Sequence, residues 1–411
     1  MRILTLNAGS SSLKFQIIEV APNGSAERRL RGRIDAIGTA ETRLELWLGG
    51  ERVTTPEAAA PDHFTAARLA LEQITGHGVA FDAVGHRIVH GGTRFTQPVR
   101  IDAAVTTDLE LLSELAPLHN PAGLAGVRAC RAALGPELPM VAVFDTAFHA
   151  ALPPAAAQYA LPRDWTDACE IRRFGFHGLA HRYLAERYRE RGGSGRRLIT
   201  LQLGNGCSAA AIRDGRSVDT SMGFTPLEGL MMGTRAGDLD PALIPHLMRR
   251  LGLDADTVLD GLNHRSGLLG VSGRSRDMQR LLELEASDAA AQRAIELFCY
   301  RVRKTVGAYL AVLGGADAVL FGGGIGENAP AIRHRILEGL AWAGLRLDPE
   351  RNRLATAEAR ISADDSTCAA YVFPVDEERV IAQDTFGCLS GHRGESDAGP
   401  LPAGGGVDGT S

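Results

Sequence analysis

The sequence predicts an α/β protein built from two similar domains that face each other across a cleft. The chain has 411 residues, more than one ordinary hydrophobic core holds. Strand-like and helix-like apolar segments alternate along it, as they do in α/β folds. A strand–turn–strand pattern at residues 3–17 recurs at residues 198–212. One such unit early in each half favours a duplicated architecture.

Each copy of the repeat is predicted to be a β-hairpin with a polar tip. Thr5 matches Thr200 and Gly9 matches Gly204 at one constant offset. The matches favour duplication, and the alternative of two unrelated hairpins that both need turn residues stays open at this point.

The other segments complete the alternation. Short buried strands are predicted at residues 83–85, 140–144 and 318–321, and helices at 179–191 and 291–313. A further helix is expected to begin near Pro330, after a glycine-rich turn.

Composition excludes several classes of protein. The net charge is −5 and the Arg residues are scattered, so we expect no nucleic-acid partner. No apolar stretch has the length of a membrane span or a signal peptide, so we expect no membrane partner. The six Cys residues form no C-x-x-C pair, which argues against a zinc site or a disulfide framework and favours a cytoplasmic location.

Three glycine-rich segments could hold phosphate groups through backbone N–H groups. They lie at residues 9–12, with Lys14 just beyond, at 204–206, and at 322–330. The third is not a dinucleotide-binding fingerprint, because Glu327 stands where the last glycine would be, and the chain has no P-loop. Three such turns, two of them in matching hairpins, favour a nucleotide cleft.

Two arginines lie in glycine-rich, apolar surroundings and therefore need anionic partners. Arg87 and Arg235 could each form a structural ion pair or bind a ligand, and the sequence does not decide between these uses. Asp145 ends a predicted buried strand, a common place for active-site groups in α/β sheets, although it could also cap a loop.

Two histidine pairs have the i, i+4 spacing of metal ligands. These are His86 with His90 and His177 with His181, and neither pair has the Glu of an H-E-x-x-H motif. A single His that donates a hydrogen bond to a phosphoryl oxygen is the favoured interpretation.

Several motifs together make the chain similar to the acetate kinase family, in the superfamily that also contains sugar kinases and actin. The resemblance runs from residue 1 to about residue 389. The motifs that carry it are Asn7-Ala8-Gly9-Ser10-Ser11-Ser12-Leu13-Lys14, the segment around Arg87, and residues 117–121, 144–146, 174–178, 220–237, 323–328 and 377–382.

The resemblance implies the fold and the reaction. We expect two duplicated actin-like (ribonuclease H-like) domains with an interdomain cleft. The first would comprise residues 1–146 plus 379–390 and the second residues 147–378, with a disordered tail at 391–411. The reaction would be reversible, direct in-line phosphoryl transfer from ATP to acetate, giving ADP and acetyl phosphate. The implied cofactor is Mg²⁺, with Mn²⁺ as a substitute, and the implied assembly is a homodimer.

The resemblance also implies the site. The implied catalytic residues are Arg87, Asp145, His177 and Arg235, of which His177 and Arg235 would stabilise the transition state. The implied metal site consists of Asn7 and Glu377. The implied substrate pocket consists of Arg87, Val89, Leu118, Phe176 and Pro226. The implied nucleotide site consists of Lys14, Gln202, Leu203, Gly204, Asn205, Gly206, Asp277, Met278, Gln279, Gly324, Ile325, Gly326, Glu327 and Asn328.

Two departures from the family pattern lie on the nucleotide side. Gln202 replaces the usual His, and Gln279 replaces the Arg of an Asp-x-Arg motif. Two rival functions stay open: a kinase of a longer acid such as propionate or butyrate, and an actin-like nucleotide-binding sensor or assembly protein without acid kinase activity. The set of Arg87, Arg235 and His177 favours a kinase, since a nucleotide switch needs no carboxylate clamp.

Overall fold

The computed structural model describes residues 1–55, 58–114, 116 and 120–391. The helices are α1 His63–Gly76, α2 Ala103–Leu111, α3 Asn120–Leu134, α4 Pro154–Ala157, α5 Arg163–Cys169, α6 Gly178–Glu190, α7 Leu243–Leu251, α8 Ala255–His264, α9 Gly267–Ser272, α10 Met278–Leu284, α11 Ala289–Leu313, α12 Gly323–Asn328, α13 Pro330–Leu337, α14 Pro349–Leu354 and α15 Glu377–Ser390. The strands are β1 Arg2–Ala8, β2 Ser12–Val20, β3 Ala26–Asp35, β4 Arg43–Leu48, β5 Glu51–Val53, β6 Ala83–Ile88, β7 Val99–Arg100, β8 Met140–Phe144, β9 Arg197–Leu203, β10 Cys207–Arg213, β11 Arg216–Thr220, β12 Ala318–Gly322, β13 Ala359–Arg360 and β14 Ala369–Val372.

The strands form two sheets that share one five-stranded arrangement. The first sheet has the order β5-β4-β3-β2-β1-β6-β8-β7, and the second has the order β11-β10-β9-β12-β14-β13. In each half three antiparallel strands are followed by two parallel ones, β6 and β8 in the first half and β12 and β14 in the second. The prediction of an α/β chain with two similar halves is therefore confirmed.

The two predicted hairpins are present, and their tips are closed by backbone hydrogen bonds. In the first, Asn7 lies opposite Lys14, and the N–H of Gly9 donates to the carbonyl oxygen of Ser12 at 2.8 Å. In the second, Leu203 lies opposite Cys207, and the turn between them spans residues 204–206. Both tips extend from the middle of a sheet, so they bring polar backbone groups to the end of a rigid element.

Each sheet is covered by helices on both faces because its strands are apolar on both faces. In β8, Val141 and Val143 pack with α15, whereas the alternate residues Ala142 and Phe144 join the core under α1 and α3. The second sheet lies between α6 and α11.

The helices α6 and α15 pack against each other between the two sheets. Arg182 of α6 donates to both carboxylate oxygens of Asp384 of α15, at 2.6 and 3.1 Å. The C-terminal helix is therefore joined to the first sheet by its apolar face and to the second half by an ion pair.

The structure differs from the prediction after β12. Residues 323–328, expected as a turn, form the short helix α12, and the expected helix at Pro330 follows as α13. Gly323 has φ +76°, a conformation that favours glycine, and the Glu327 side chain accepts a hydrogen bond from the Gly323 N–H at 2.9 Å. The glycine reverses the chain, and the Glu side chain satisfies the first helical N–H group.

Three sequence-based predictions, on the domain boundaries, Leu118 and the tail, are not decided by the described residues. The domain boundaries at residues 146 and 378 stay a prediction. Leu118 and residues 392–411, most of the expected tail, lie outside the described residues.

Candidate active site

Arg87 is held by a carboxylate at the end of the neighbouring strand. Its Nε donates to Oδ1 of Asp145 at 3.0 Å, and its Nη2 donates to Oδ2 of the same carboxylate. Its Nη1 donates to Oδ1 of Asn7 at 3.2 Å and to the carbonyl oxygen of Ala8 at 3.3 Å. Because β6 and β8 are parallel neighbours, their C-terminal ends place Arg87 and Asp145 side by side. The guanidinium is thereby fixed in one orientation.

An acidic pair at the start of α15 completes the first half of the site. Nδ2 of Asn7 donates to Oε2 of Glu377 at 2.9 Å and to Oε1 of Glu378 at 2.8 Å. Gln16 donates to the other oxygen of Glu378 at 3.3 Å. Asn7 therefore connects Arg87 with both glutamates, and it uses its amide oxygen and its amide nitrogen to do so.

The two glutamates differ in their electrostatic surroundings. Burial disfavours ionisation of Glu377, but the charges of Arg87 and Lys14 outweigh burial and lower its pKa. Burial raises the pKa of Glu378, and the neighbouring Glu377 adds to that rise. Burial alone would lower the pKa of Arg87, but Asp145 and Glu377 raise it. Glu377 is thus the more readily ionised acid of the pair and the better candidate for a cation site.

His177 brings a ring to the site from the second half. It precedes α6 and has φ +56° and ψ +27°, a left-handed conformation uncommon for a non-glycine residue. Its Nδ1 lies 2.9 Å from Oγ of Ser208. The N–H of Gly178, the next residue, donates to the carbonyl oxygen of Asp145 at 3.0 Å. This bond places His177 beside the strand end that carries Asp145.

Gly206, at the tip of the second hairpin, lies against both His177 and Arg235. A Cβ atom at Gly206 would lie 3.2 Å from Cε1 and 3.4 Å from Nε2 of His177, and 3.6 Å from Nη1 of Arg235. Nη1 of Arg235 also donates to the carbonyl oxygen of Pro226 at 3.2 Å. The structure thus brings one glycine, one imidazole and one guanidinium to the same place.

Burial shifts the pKa of both basic side chains in this cluster, His177 and Arg235. It lowers the pKa of His177, and Asp145 and Glu377 oppose that shift. It also lowers the pKa of Arg235. An arginine retains its charge under such a shift, so Arg235 supplies a fixed positive charge, whereas His177 tends toward its neutral form.

The predicted acyl pocket combines residues of both halves. Val89 follows β6 of the first sheet but is buried in the apolar cluster of the second half, which also contains Phe174 and Phe176. The adjacent His90 contacts both phenylalanine rings edge to face, with centroid distances of 4.4 and 5.5 Å. Pro226 is half-buried and bonded to Arg235 through its carbonyl oxygen. Leu118 lies outside the described residues.

The turn at residues 204–206 is anchored on its far side. The N–H of Gly233 donates to the carbonyl oxygen of Asn205 at 2.9 Å, and Leu203 is buried in the core. Gln202 lies between Ser208 and Gly322 on the neighbouring strands, and its Oε1 is buried without a hydrogen-bond partner among the described residues. That orphaned polar atom lies beside the turn at residues 204–206 and is available to a ligand-side partner.

The helix α12 supplies the next part of the predicted nucleotide site. Gly324 is exposed, and a Cβ there would meet no atom within 4 Å. Ile325 packs on the second-half core and Gly326 is buried, whereas Asn328 is exposed and donates to the carbonyl oxygen of Gly324 at 2.9 Å. Gly324 and Asn328 therefore offer an accessible surface.

Glu327 joins α12 to the segment that precedes α15. Its Oε1 accepts hydrogen bonds from the N–H groups of Gly323 and Val375, at 2.9 and 3.1 Å. Burial raises the pKa of Glu327, and the charge of Lys14 on the first hairpin opposes the rise. The carboxylate therefore has a structural task in the fold.

The predicted segment 277–279 has mixed exposure. Asp277 caps α10 by accepting from the N–H of Gln279 at 2.9 Å, Met278 is buried in the core, and Gln279 is exposed. A Cβ at Gly233 would lie 3.3 Å from the carbonyl oxygen of Arg276, so the segment is near the 204–206 turn. A nucleotide role for these three residues stays a prediction.

Sequence reasoning missed several residues that the structure brings to the site. Ser208 contacts His177, His181 contacts Ser208 at 2.8 Å, and His149 contacts the carbonyl oxygen of Phe176 at 3.2 Å. The i, i+4 spacing of His177 and His181 was the available signal, because it brings both rings to the start of α6, where they share Ser208.

Comparison with known proteins agrees with these observations. A sequence model of the acetokinase family matches residues 2–383. The acetate kinase of Solibacter usitatus is 49% identical over 417 residues, which cover 95% of this chain and 99% of that protein. The acetate kinase of Bacillus subtilis is 43% identical over 392 residues, covering 93% and 98%.

Solved structures give the same result. The crystal structure of Porphyromonas gingivalis acetate kinase matches with a TM-score of 0.85 and 39% identity, covering 94% of this chain and 99% of that one. A propionate kinase from Francisella tularensis matches with a TM-score of 0.85 and 38% identity, covering 93% and 98%. The fold is thus of the actin-like α/β class, as predicted. The chain belongs to the acetokinase family.

Proposed function

We propose that this protein catalyses reversible phosphoryl transfer from ATP to acetate, giving ADP and acetyl phosphate. The observation that carries the proposal is the gathering of Arg87, held by Asp145, with Arg235, His177 and the Gly206 turn. Phosphoryl transfer needs positioning and spread positive charge more than covalent chemistry. Membership of the acetokinase family supports the same reaction.

The proposed mechanism is direct in-line transfer. An ionised carboxylate oxygen of acetate attacks the γ-phosphorus of ATP while the bond to the β,γ-bridging oxygen breaks and ADP leaves. Arg87 and Arg235 stabilise the charge of the carboxylate and of the equatorial phosphoryl oxygens, and His177 donates a hydrogen bond to the same group. Asp145 acts by fixing the Arg87 guanidinium. No base is needed, since acetate is ionised at neutral pH.

The acidic pair suits a divalent cation shared with the nucleotide. Mg²⁺ prefers oxygen ligands and usually takes one or two carboxylates together with phosphate oxygens and water. Among the described residues, no group of three or more His, Cys, Asp or Glu side chains is arranged to hold a metal. We assign Mg²⁺, or Mn²⁺ in its place, to Glu377 because its carboxylate is the more readily ionised of the pair, with Asn7 orienting it. When bound, the ion would offset negative charge on the phosphates.

Most of the proposed nucleotide site lies on the second half of the molecule. The turn 204–206 and Gln202 would face the phosphates, with Leu203 as their support, and α12 would face the adenosine through Gly324 and Asn328. Lys14 would contribute charge from the first hairpin, and residues 277–279 would border the site.

The assembly and location are proposals of the same kind. We propose a cytoplasmic homodimer, on the basis of family membership. Within the described residues, none of the helices combines the length and apolar character needed to cross a membrane.

A second candidate is a kinase of a slightly longer acid. The observation that favours it is the likeness to the Francisella tularensis propionate kinase, which is as close in fold as the Porphyromonas gingivalis acetate kinase. Val89 and Phe176, two apolar members of the proposed pocket, are buried, and apolar side chains suit the alkyl end of either acid.

One assay separates these functions. Purified protein is incubated with ATP, Mg²⁺, hydroxylamine and acetate, propionate or butyrate, and the acyl hydroxamate formed from the acyl phosphate is measured. We expect the highest kcat/KM with acetate. A higher value with propionate would support the second candidate, and no acid-dependent hydroxamate would indicate a nucleotide-binding protein without acid kinase activity.

A further inference from the structure

Four side chains form a continuous hydrogen-bonded chain that ends at His177. Nδ1 of His177 is 2.9 Å from Oγ of Ser208, which is 2.8 Å from Nε2 of His181. Nδ1 of His181 is 2.7 Å from Oγ1 of Thr200. Ser208, His181 and Thr200 have no exposed surface, so their bonds are shielded from water. The chain fixes the ring of the one histidine that borders the Gly206 turn.

Two orders of the protons let every hydroxyl of the chain donate to a bonded partner. A third, in which Ser208 accepts from both rings, would leave its buried hydroxyl proton without an acceptor among the described residues. Each hydroxyl donates one hydrogen bond, and each neutral imidazole carries one N–H group. In the first order every proton is directed away from the site, so Nδ1 of His177 holds its proton and Nε2 is bare. In the second order Thr200 donates to His181, His181 donates to Ser208, and Ser208 donates to Nδ1 of His177. His177 then carries its proton on Nε2.

The distances favour the second order. In the first order the Thr200 hydroxyl must donate to the carbonyl oxygen of Ala210, which is 3.4 Å away and beyond the usual O–H···O range. In the second order the Thr200 hydroxyl donates instead to Nδ1 of His181, which is 2.7 Å away. Burial also lowers the pKa of His181 well below its usual value, so this ring is neutral and has one N–H to place.

A third histidine, His149, holds the backbone next to His177. Nε2 of His149 lies 3.2 Å from the carbonyl oxygen of Phe176, so it must carry the proton, and Nδ1 accepts from Oγ of Ser217 at 2.7 Å. This bond holds the peptide group just before His177, whose left-handed backbone needs such support. The ring and the peptide of His177 are thus held separately.

We propose that Ser208 and His181 are positioning residues that keep His177 in its Nε2–H tautomer, so that the neutral ring donates a hydrogen bond to the transferring phosphoryl group. The consequence for catalysis rests on the proposed function, but the tautomer itself does not. In this arrangement His177 is a donor without first taking a proton from solvent, and its donor stays directed at the Gly206 turn.

The tautomer is measured directly by ¹⁵N NMR. The full-length protein is labelled with ¹⁵N-histidine, and long-range ¹H–¹⁵N spectra are recorded at pH 7.5, with signals assigned from His177→Gln and His181→Gln variants. We expect protonated Nε2 and bare Nδ1 in both rings. A protonated Nδ1 in His177, or an imidazolium at that pH, would overturn the proposal even if the protein proves to be an active acid kinase.

Kinetics test the positioning role. Ser208→Ala removes the donor to Nδ1 and should lower kcat roughly 10-fold, with KM for ATP and acetate nearly unchanged, since the lost bond orients a group that acts in the transition state. Ser208→Thr keeps a hydroxyl and should restore most of the rate. Unchanged kcat in Ser208→Ala, or no rescue by Ser208→Thr, would count against the proposal. If either variant fails to fold, the wild-type spectrum still decides the tautomer.

Discussion

At the scale of single residues, the two site arginines are supported in different ways. Arg87 is locked to the buried carboxylate of Asp145 and to Asn7. The contacts of Arg235 include the carbonyl oxygen of Pro226 and Sδ of Met232, both uncharged. Removal of Arg87 would leave a buried acid uncompensated, so its effect on catalysis would be mixed with an effect on the fold.

Replacement of Arg235 should lower the rate of catalysis, and its effect on stability is measured in the same variant. Arg235→Ala is expected to lower kcat/KM for acetate by about 10²-fold, because one fixed charge on the phosphoryl group is lost. The measurement is steady-state kinetics together with thermal unfolding. Arg265→Ala, at an exposed arginine 3.7 Å from Asp260, is the control and should keep full activity. A folded Arg235→Ala protein with near-normal kcat/KM would remove Arg235 from the proposed mechanism.

His86 predicts a pH dependence of stability. It is 1% exposed, its Nε2 has no hydrogen-bond partner among the described residues, and burial lowers its pKa to about 3. Because the folded pKa is below the unfolded value of about 6.5, the unfolded state binds more protons in between. The contribution of neutral His86 to the free energy of unfolding is fully present above pH 6.5 and is lost as the pH falls from there toward 3.

His86→Leu should remove that loss. Between pH 7 and pH 5 the wild-type free energy of unfolding should fall by about 2 kcal/mol more than that of the variant, as measured by chemical denaturation. His246→Gln, at an exposed histidine, should retain the wild-type slope. Equal slopes for wild type and His86→Leu would contradict the neutral, buried state of His86.

At the scale of elements, periodicity predicted β8, β12, α6 and α11 to within a few residues. It did so because buried strands and amphipathic helices have strong apolar patterns. The helix α12 was missed because its glycine-rich sequence has no apolar period and high intrinsic cost in a helix. Its formation depends on a contact from Glu327 that no local pattern reveals.

The start of α12 offers a matched pair of glycines. Gly323→Ala would force φ +76° on alanine and place Cβ 2.7 Å from the Leu203 carbonyl oxygen, so it should lower stability by at least about 1–2 kcal/mol. Gly324→Ala meets nothing within 4 Å and should not destabilise the protein. If Gly324 faces the adenosine, its variant should raise KM for ATP several-fold. Unfolding curves and ATP titrations measure both, and an unchanged KM in Gly324→Ala would move the nucleotide elsewhere.

At the scale of the whole molecule, sequence motifs anticipated which residues meet but not how they are held. Arg87 and Arg235 could be chosen because charged groups beside glycines are unusual in apolar surroundings, and Asp145 because it ends a buried strand. The roles of Ser208 and Glu378 could not, since a serine in a strand and a second glutamate in a helix carry no signal of their own. Their importance arises from tertiary contacts with His177 and Asn7.

A substitution in the proposed acyl pocket can test the contact between the two halves. Val89 comes from the first half but is buried with the core of the second. Val89→Ala should shift the kcat/KM ratio toward propionate or butyrate by about 10-fold, the effect of roughly one methylene. Val84→Ala, in the core of the first half, is the matched control and should change stability without changing that ratio. An unchanged acid preference in Val89→Ala would place the pocket away from Val89.

The position of α15 has a consequence for how the protein is made. The helix covers β1 and β6, and its first residue accepts a hydrogen bond from Asn7, yet it comes last in chain order among the described elements. While the ribosome builds the second half, the nascent first half has an apolar sheet face without its cover, and such surfaces favour aggregation or binding by chaperones. The first half therefore gains the cover of this sheet face only after α15 has been made, and a stop codon ahead of residue 377 would release a chain without that cover and without its acidic pair.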